Sequence, residues 1–402
     1  MRRFFGLIMA PFFKGPIRVA QPRSELRGGV HRVSIRLDQQ DLWFESTDTT
    51  LKVSPEAFAS ALLIPSLRLG RQLLVDSSVC PIWLRNQRSA AQLVSSWWNY
   101  VELSSPALSP SHAAREKIAP PASTSVALHT SSSPQPLITP PNQGGRTALC
   151  FTGGVDSFHT LLRAQPSAEL LVFASGYDVN LRDRQRLKEA ERTIRAVATE
   201  MGKQSVIIAS NLRCHWTFRT ESWDRSHGGA LAALGHLLSD HVSSLQISST
   251  YAQDSSIKWG SNWDLDPLFA SSRLAIQHIG AEISRTQRLW QIAEEPIVQR
   301  YLRVCWQRRR DKENCGQCEK CVRTMLVLET CGQLENYPTL GKRNELATLI
   351  NAVPSVQWNN VPTYQMLLHE ELTPEVRRAV ERLLDRARFA NVASHPNRSA
   401  AA

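Results

Sequence analysis

The sequence predicts an α/β protein built on a doubly wound parallel sheet, preceded by a small α+β domain and followed by a helical lobe. From residue 147 to about residue 300, short apolar runs alternate with stretches of helical pattern. A glycine pair follows the first apolar run, and four closely spaced cysteines follow the last helical stretch. Strand-helix alternation predicts parallel strands in one sheet. Such sheets bind ligands at the carboxyl ends of their strands.

We expect residues 1–104 to form the small α+β domain as an independent unit. Apolar residues alternate over Val33–Leu37, as in a half-buried strand, and Leu42–Phe44 suggests a second strand. Ser54-Pro55 then supplies an N-cap and a first-turn proline for a helix that continues to about Leu63. No segment of this domain carries recognisable chemistry.

Residues 105–146 are rich in Ser, Pro and Ala and predict a mobile linker, because they bury too little apolar surface to offset chain entropy. The α/β domain therefore spans residues 147–300. Its predicted strands are Ala148–Phe151, Glu169–Ala174, Ser205–Ala209 and Ser244–Ser248, and its predicted helices are Asp156–Arg163, Arg182–Met201 and Gly228–His241.

Residues 301–390 predict the cysteine cluster followed by helices. A short helix is expected over Thr324–Cys331, ended by Gly332. A second begins at Thr373-Pro374. Its apolar residues recur on one face, which indicates packing: Val376, Ala379, Val380, Leu383, Leu384 and Ala387.

Composition favours a cytoplasmic globular protein. The 402 residues are 42% hydrophobic, and no apolar run reaches the ~20 residues that span a bilayer. The basic N-terminus imitates a signal peptide only in part, because Pro11 and Lys14 interrupt its apolar stretch. The isolated cysteines, Cys80, Cys150, Cys214 and Cys331, are expected to be buried small residues in a reducing compartment.

The net charge of +11 permits attraction to polyanions such as RNA. Much of it is diffuse, but one dense patch stands out, with aromatic residues interspersed. This pattern occurs on RNA-binding surfaces and equally on a solvated rim. The patch comprises Arg300, Arg303, Arg308, Arg309, Arg310 and Lys312, with Trp290, Tyr301 and Trp306 nearby.

The glycine pair belongs to a segment that we call the glycine loop, Thr152-Gly153-Gly154-Val155-Asp156-Ser157, between a predicted strand and a helix. Two glycines let the backbone turn sharply and approach a ligand. Free N–H groups at the helix start form an anion site for phosphate oxygens. Thr152 and Ser157 add hydroxyl donors, while Asp156 is suited to ordering the loop or approaching Mg²⁺.

The cysteine cluster consists of Cys305, Cys315, Cys318 and Cys321, spaced C-x9-C-x2-C-x2-C. Two tight C-x-x-C turns with one distant cysteine are typical of a tetrahedral Zn²⁺ site. An iron–sulfur cluster is the first alternative, but ferredoxin-like runs add a nearby fourth cysteine with proline. A redox C-x-x-C more often opens a helix after a strand.

The glycine loop, with Phe151 before it, closely resembles the pyrophosphate loop of the PP-loop ATP pyrophosphatases. The downstream cysteine cluster is similar to that of the 7-cyano-7-deazaguanine synthase (QueC) family within this superfamily. The resemblance covers about residues 147–328. It implies a HUP-type, adenine nucleotide α-hydrolase-like fold in the α/β domain, with a zinc knuckle after it.

The resemblance implies an AMP-forming ligase that uses ATP and Mg²⁺, with Zn²⁺ in the knuckle. Such an enzyme adenylates a carboxylate, releases pyrophosphate and forms a C–N bond with ammonia, as in 7-deazapurine and queuosine biosynthesis. By this match, Thr152, Gly153, Gly154, Val155, Asp156 and Ser157 hold the phosphates and Phe173 and Ala174 approach the adenine. Asp156, Ser157 and Arg285 are the implied catalytic residues, and we expect the knuckle to aim Arg323 at the site.

The segments between the two motifs depart from the family. Gly176-Tyr177-Asp178 and the run from Lys258 to Asp264 replace the family's substrate signatures, so we expect a changed pocket. His227, Asp254 and Lys258 are further pocket candidates, with helix packing or plain loop charges as the alternatives. A PP-loop tRNA-modifying enzyme and a non-catalytic nucleotide-binding module remain alternative functions. A homo-oligomer is compatible with each of them.

Overall fold

The structure is a computed structural model that describes residues 15–100, 145–305 and 314–394, with side chains described to residue 388. Three predictions fall partly or wholly outside these ranges: the basic N-terminus compared with a signal peptide, the linker and the distal basic patch. Within the described residues, no helix is long and apolar enough to cross a membrane.

Ten strands lie in the described ranges. They are β1 (Ile17–Val19), β2 (Arg23–Arg27), β3 (Val30–Leu37), β4 (Gln40–Ser46), β5 (Leu73–Val75), β6 (Thr147–Cys150), β7 (Leu170–Ser175), β8 (Gln204–Ser210), β9 (Ser244–Ser248) and β10 (Ala275–Ile279).

The same ranges contain eleven α-helices. They are α1 (Pro55–Leu69), α2 (Pro81–Trp98), α3 (Val155–Arg163), α4 (Arg184–Glu200), α5 (Trp223–Leu237), α6 (Arg285–Ile292), α7 (Pro296–Tyr301), α8 (Glu319–Thr330), α9 (Leu346–Ala352), α10 (Val361–Leu367) and α11 (Pro374–Ser394).

An eight-stranded sheet organises the fold in the order β10-β9-β6-β7-β8-β4-β3-β2. Strands β6 to β10 are mutually parallel. If these five strands are numbered 1 to 5 in chain order, their order across the sheet from β8 to β10 is 3-2-1-4-5. The chain therefore reverses its winding direction between β6 and β9, and this is the position where α/β sheets open a ligand crevice.

Helices cover both faces of the sheet, as a doubly wound arrangement requires. Successive residues of β7 point to opposite sides. Leu170, Val172 and Ala174 join a core with α1, α2 and α5. Leu171 and Phe173 join a second core with α3, α4, α6 and the C-terminal helices α8 to α11. The predicted α/β class with a mostly parallel sheet is confirmed.

The N-terminal segment shares this sheet. Strand β4 pairs antiparallel with β8 through Phe44–Ser210 and Glu45–Ala209, so β2, β3 and β4 extend the sheet by a meander. Helix α1 packs closely on α5, where a Cβ on Gly229 would meet the Ser60 carbonyl oxygen at 2.2 Å. The sequence favoured an independent unit, and the domain boundary near residue 104 stays a prediction.

Most of the expected strands and helices form, with shifted ends. Ser54 caps α1 as expected, but the helix continues through Pro65 to Leu69 and ends at Gly70 (φ 61°). Helix α5 begins before Gly228, and α8 begins at Glu319, so that Cys321 lies within its first turn. The edge strand β10 was not predicted from the sequence. The apolar face expected on the last helix is buried along α11.

Candidate functional site

The glycine loop connects β6 to α3 and is stabilised from within. Gly153 has a φ of 73°, a left-handed conformation that favours glycine. Ser157 Oγ accepts the N–H of Gly154 at 3.1 Å and donates to the Gly154 carbonyl oxygen at 3.1 Å. The first N–H groups of α3 have no partner within the helix. With the helix dipole they form an anion-binding pole at the predicted phosphate loop.

The loop lies at the reversal of winding direction between β6 and β9. Helix α3 belongs to the core on one face of the sheet and α5 to the core on the other, which leaves a crevice beyond the carboxyl ends of the two strands. The residues that follow β9, Ser249 and Thr250, reach the same crevice through Arg288.

Asp156 holds two arginines of α6 in this crevice. Arg285 Nη1 donates to Asp156 Oδ2, and Arg288 Nη1 donates to Asp156 Oδ1 at 2.7 Å. Arg288 also donates to the carbonyl oxygens of Ser249 and, at 3.2 Å, Thr250. The Arg288 side chain is 1% exposed and Arg285 is 26% exposed. Burial lowers the pKa of Arg288, but a guanidinium stays charged in proteins.

Helix α8 brings further cations to the same crevice. Lys320 interacts electrostatically with Arg285, Asp156, Asp178 and Arg323. Burial, with a smaller contribution from Arg285, lowers the pKa of Lys320 to about 8. Arg323 is paired with Glu319 at 3.4 Å and is mostly buried. Three cations, Arg285, Arg288 and Lys320, thus gather around the Asp156 carboxylate, with Asp178 acting on Lys320 and Glu282 on Arg288 as further acids.

The four cysteines form a compact cluster. Their sulfur atoms all lie within 4.8 Å of one another, and the Cys305–Cys318 and Cys315–Cys321 pairs are both 3.9 Å apart. A Zn–S bond of about 2.3 Å gives tetrahedral edges of roughly 3.8 Å. All four thiols are free of disulfides. The cluster thus has the dimensions of a tetrathiolate Zn²⁺ site.

The chemistry of the cluster fits a divalent cation as well. Hydrogen bonding with Cys305 raises the pKa of Cys318 to about 11 and raises that of Cys321 further. Adjacent thiolates are unfavourable without a positive charge between them, and a bound metal removes this penalty. The N–H groups of Gln317 and Cys318 point to Cys315 Sγ at 3.4 and 3.2 Å and further compensate its charge.

A short strap joins the cluster to the glycine loop. The backbone N–H of Arg303, two residues before Cys305, donates to the Gly153 carbonyl oxygen at 2.8 Å. The Arg303 guanidinium donates to the Thr152 carbonyl oxygen at 3.2 Å. The segment that carries the first metal ligand therefore lies directly on the predicted phosphate loop.

The predicted adenine residues lie in strand β7. Phe173 and Ala174 are both buried, 1% and 8% exposed, with their side chains in the two opposite cores. Beyond them, Gly176 has a φ of 98°, and a Cβ there would meet the Ser210 carbonyl oxygen at 2.2 Å. Any ligand at this strand end would meet backbone and Gly176, rather than the two predicted side chains.

His227 lies in a row of aromatic rings. Its Nδ1 contacts the Trp223 carbonyl oxygen at 2.9 Å, and its ring lies 5.7 Å from Trp223 and 5.8 Å from Trp259. Burial lowers its pKa. Trp259 continues the row to Tyr251, at 5.1 Å. A neutral, ring-packed histidine favours the packing interpretation over an acid–base role.

The other pocket candidates have structural neighbours. The Lys258 Nζ lies 5.3 Å from the Trp97 ring on α2, whereas Asp254 is exposed in its loop. The glycine at position 228 permits a close backbone approach, because a Cβ there would meet the Gly260 carbonyl oxygen at 2.1 Å. These glycines fit the loop after β9 onto the start of α5.

Two expectations about surface residues change. Cys150 is buried and Cys80 and Cys331 are half-buried, but Cys214 is exposed, so the expectation of burial was wrong for Cys214. It follows β8 in a turn at the rim of a cleft. In the basic patch, Arg300 pairs with Glu200 at 2.8 Å and Arg303 binds the glycine loop. Residues 306–313 of the patch lie outside the described ranges.

The sequence patterns predicted neither Arg288 nor Lys320 as site residues, and they did not predict that Arg303 contacts the glycine loop. The first had a usable signal, since it lies one turn after Arg285 on the same helix face. The other two had none, because only the packing of α8 brings Lys320 near Asp156 and only the course of the strap places Arg303 on the glycine loop. Searches with the chain match no family model, no curated protein and no solved structure.

Proposed function

We propose that the chain is an ATP-dependent, AMP-forming ligase of the 7-cyano-7-deazaguanine synthase type. The observation that carries the proposal is the convergence of the glycine loop, Arg285, Arg288 and Lys320 at the winding reversal of the sheet. A helix start with several cations around it suits an oligophosphate whose charge grows in the transition state. The motif resemblance supplies the reaction class.

In this proposal the glycine loop binds the β- and γ-phosphates through the N–H groups of Val155 and Asp156. Arg288 is fixed by two carbonyl oxygens and keeps Asp156 in place. Arg285 is the more exposed of the pair and exchanges the carboxylate for phosphate oxygens. Asp156 Oδ2 is then available to Mg²⁺, which prefers oxygen ligands. Lys320 stabilises the developing negative charge from the opposite side.

Zn²⁺ in the knuckle has a structural role in this proposal. Four thiolates leave no open coordination position, so the metal does not activate water. Bound by Cys305, Cys315, Cys318 and Cys321, it supplies a rigid link between α8 and the strap over the glycine loop. Lys320 and Arg303 are the residues whose positions depend on that link.

The proposed substrate is a small molecule with a carboxylate that becomes an acyl adenylate and is then amidated by ammonia. Carboxylate oxygen attacks the α-phosphorus of ATP, and the bond to the pyrophosphate breaks. Ammonia then displaces AMP, and dehydration of the amide gives a nitrile in the related synthases. The altered segments around Tyr177 and Trp259 argue for a substrate other than the deazaguanine.

The test is ATP–pyrophosphate exchange with purified protein, Mg²⁺ and a panel of carboxylates that includes 7-carboxy-7-deazaguanine. We expect exchange with at least one carboxylate, and we expect Arg285→Ala to lower it by on the order of 10²-fold or more. Arg163→Ala is the matched control, since Arg163 is an exposed arginine that pairs with Glu295 at 2.7 Å and does not contact the loop. Absence of exchange with every carboxylate and with tRNA would contradict the ligase.

A further inference from the structure

A second cationic site lies beyond the carboxyl ends of β7 and β8, in a cleft of about 850 Å³. We call it the arginine cleft, and it is lined by five arginines, three carboxylates and three aromatic residues. None of the glycine loop, Arg285, Arg288 or Lys320 belongs to its lining. The charged and aromatic residues are Arg182, Arg184, Arg186, Arg213, Arg219, Asp178, Asp183, Glu221, Tyr177, Phe218 and Trp223.

Two of the three carboxylates in the arginine cleft are already engaged by the protein. Asp183 caps α4 by accepting the N–H of Arg186 at 3.4 Å. Glu221 is 6% exposed and accepts the Tyr100 hydroxyl, with Arg68 and Arg225 both at 3.9 Å. Glu221 is therefore shared with cations outside the lining, and even with Asp178 and Asp183 counted as negative the five arginines leave the cleft net positive.

Three of the arginines have guanidinium groups that are available to a ligand. The side chains of Arg182, Arg184 and Arg186 form no ion pair or hydrogen bond with any other described residue. Arg184 and Arg186 lie in the first turn of α4, a 17-residue helix with no acidic residue in that turn. Cations at the positive end of a helix dipole are unfavourable by themselves. This local cost is the kind that proteins accept at functional sites.

One wall of the cleft is rigid. The guanidinium of Arg213 stacks on the Trp223 ring at 4.5 Å and donates to the Tyr177 carbonyl oxygen. Trp223 is held in turn by Tyr177, at 5.2 Å between ring centroids, and by Phe218, at 6.1 Å. Together with Arg184 and Arg186 of α4, this fixed wall gives the cleft a defined shape, as a specific ligand site needs.

We propose that the arginine cleft binds a small phosphorylated molecule with at least two negative charges. Its volume lies in the range of small-molecule pockets, about 300–1,000 Å³. One guanidinium group can donate two parallel hydrogen bonds to two oxygens of the same phosphate. The concave, bounded shape favours a small ligand over an RNA strand, which would need an extended basic track. The cleft shares Gly176 and Tyr177 with the strand end that the ligase proposal leaves to adenine and substrate, but its binding of a phosphorylated ligand is argued from its own arginines and does not depend on that assignment.

The experiment is isothermal titration calorimetry with inorganic tripolyphosphate as the probe. Arg184→Gln/Arg186→Gln removes two cations from the cleft, and Lys188→Gln/Arg192→Gln removes two exposed cations from the same helix outside the cleft. We expect the cleft pair to weaken one binding event by at least about tenfold. We expect the control pair to leave that event within about twofold, because distant exposed charges are screened by salt.

Arg285→Ala assigns any second binding event to the glycine loop, so the two proposals can fail separately. Equal weakening by the cleft pair and the control pair, or no effect of the cleft pair, would overturn the arginine cleft as a ligand site. A single-stranded 20-mer oligonucleotide that displaces tripolyphosphate and is weakened equally by both pairs would overturn the small-molecule assignment. Unchanged circular dichroism spectra of both pairs serve as the folding control.

Discussion

The glycine-loop crevice and the arginine cleft lie at the same edge of one sheet, yet they hold their cations differently. In the crevice, Arg288 is almost fully buried and is paired with Asp156 and two carbonyl oxygens. In the cleft, Arg184 is exposed and Arg186 is half-buried. Neither guanidinium forms an ion pair or hydrogen bond with another described residue. A buried charge requires partners within the fold, whereas an exposed one remains available. Arg288 of the crevice therefore contributes to the stability of the protein, whereas Arg184 and Arg186 of the cleft do not.

The largest expected difference between the two regions follows metal removal. Chelation or Cys318→Ser should cost on the order of 10 kcal/mol of folding free energy in the C-terminal lobe, by analogy with other structural zinc sites. The strap over Gly153 should lose protection from hydrogen exchange, because Cys305 no longer fixes it. Amides of α4 beside the arginine cleft should lose less protection than the strap, because no residue of α4 belongs to the cysteine cluster.

Metal analysis by mass spectrometry and hydrogen exchange with and without chelator check this outcome. Cys331→Ser is the matched control, since Cys331 follows α8 but lies outside the cluster. About one zinc per chain is expected. Iron, or no metal at all, would contradict the zinc assignment, and equal loss of protection in both regions would contradict the local link.

The second effect separates two arginines of one helix. Arg288→Ala should lower the free energy of unfolding by about 3–5 kcal/mol, because it leaves Asp156 without its buried partner. Arg285→Ala should cost about 1 kcal/mol or less, because Arg285 is partly exposed and the buried partner remains. Urea denaturation of both variants measures the difference. The reverse order would show that burial does not decide the strength of these pairs.

The third effect is a dependence of the free energy of unfolding on pH, to which one buried histidine near each region contributes. Burial lowers the pKa of His159, beside the crevice, and of His215, in the turn after β8. The unfolded chain therefore binds more protons, and stability should fall as the pH drops below about 6.5, by up to ~1.4 kcal/mol per pH unit for each histidine. His159→Gln and His215→Gln should each flatten the slope measured by urea denaturation between pH 7.5 and 5.5. An unchanged slope in both variants would contradict the burial argument.

The smallest effect on stability is expected in the arginine cleft. Arg184→Gln/Arg186→Gln should leave the free energy of unfolding unchanged or raise it by about 0.3–1 kcal/mol, since the change removes cations from the positive end of α4. Thermal unfolding monitored by circular dichroism measures it. A loss of more than about 1 kcal/mol would show that these arginines support the fold, and would remove the contrast with Arg288.

Local patterns predicted the parts of the fold that depend on neighbouring residues. The strand-turn-helix around Gly153 and Gly154, the capped start of α1 at Ser54 and the apolar face of α11 form as expected. Each is decided by steric preference, capping or periodicity over a few residues. The same reasoning misplaced the start of α5, because Gly228 serves a close approach to Gly260 rather than a helix start.

Long-range pairing was outside the reach of these patterns. The sequence of β4 indicates a strand, but only its pairing with β8 places the N-terminal meander in the central sheet. The exposed Cys214 and the half-buried Lys320 have no local feature that distinguishes them from packing residues or surface charges. The neighbours of a side chain depend on sheet order and helix packing, which short sequence patterns do not encode.

The sequence by itself determined the predicted anion-binding turn and the four-cysteine cluster, because a glycine pair before a helix and a C-x-x-C-x-x-C spacing act through local geometry. Only the tertiary structure decided that these features meet. The strap at Arg303 lies on the glycine loop, and α6 and α8 bring Arg285, Arg288 and Lys320 to Asp156. The physical reason is that a buried charge must find its partners across the fold, wherever they stand in the chain.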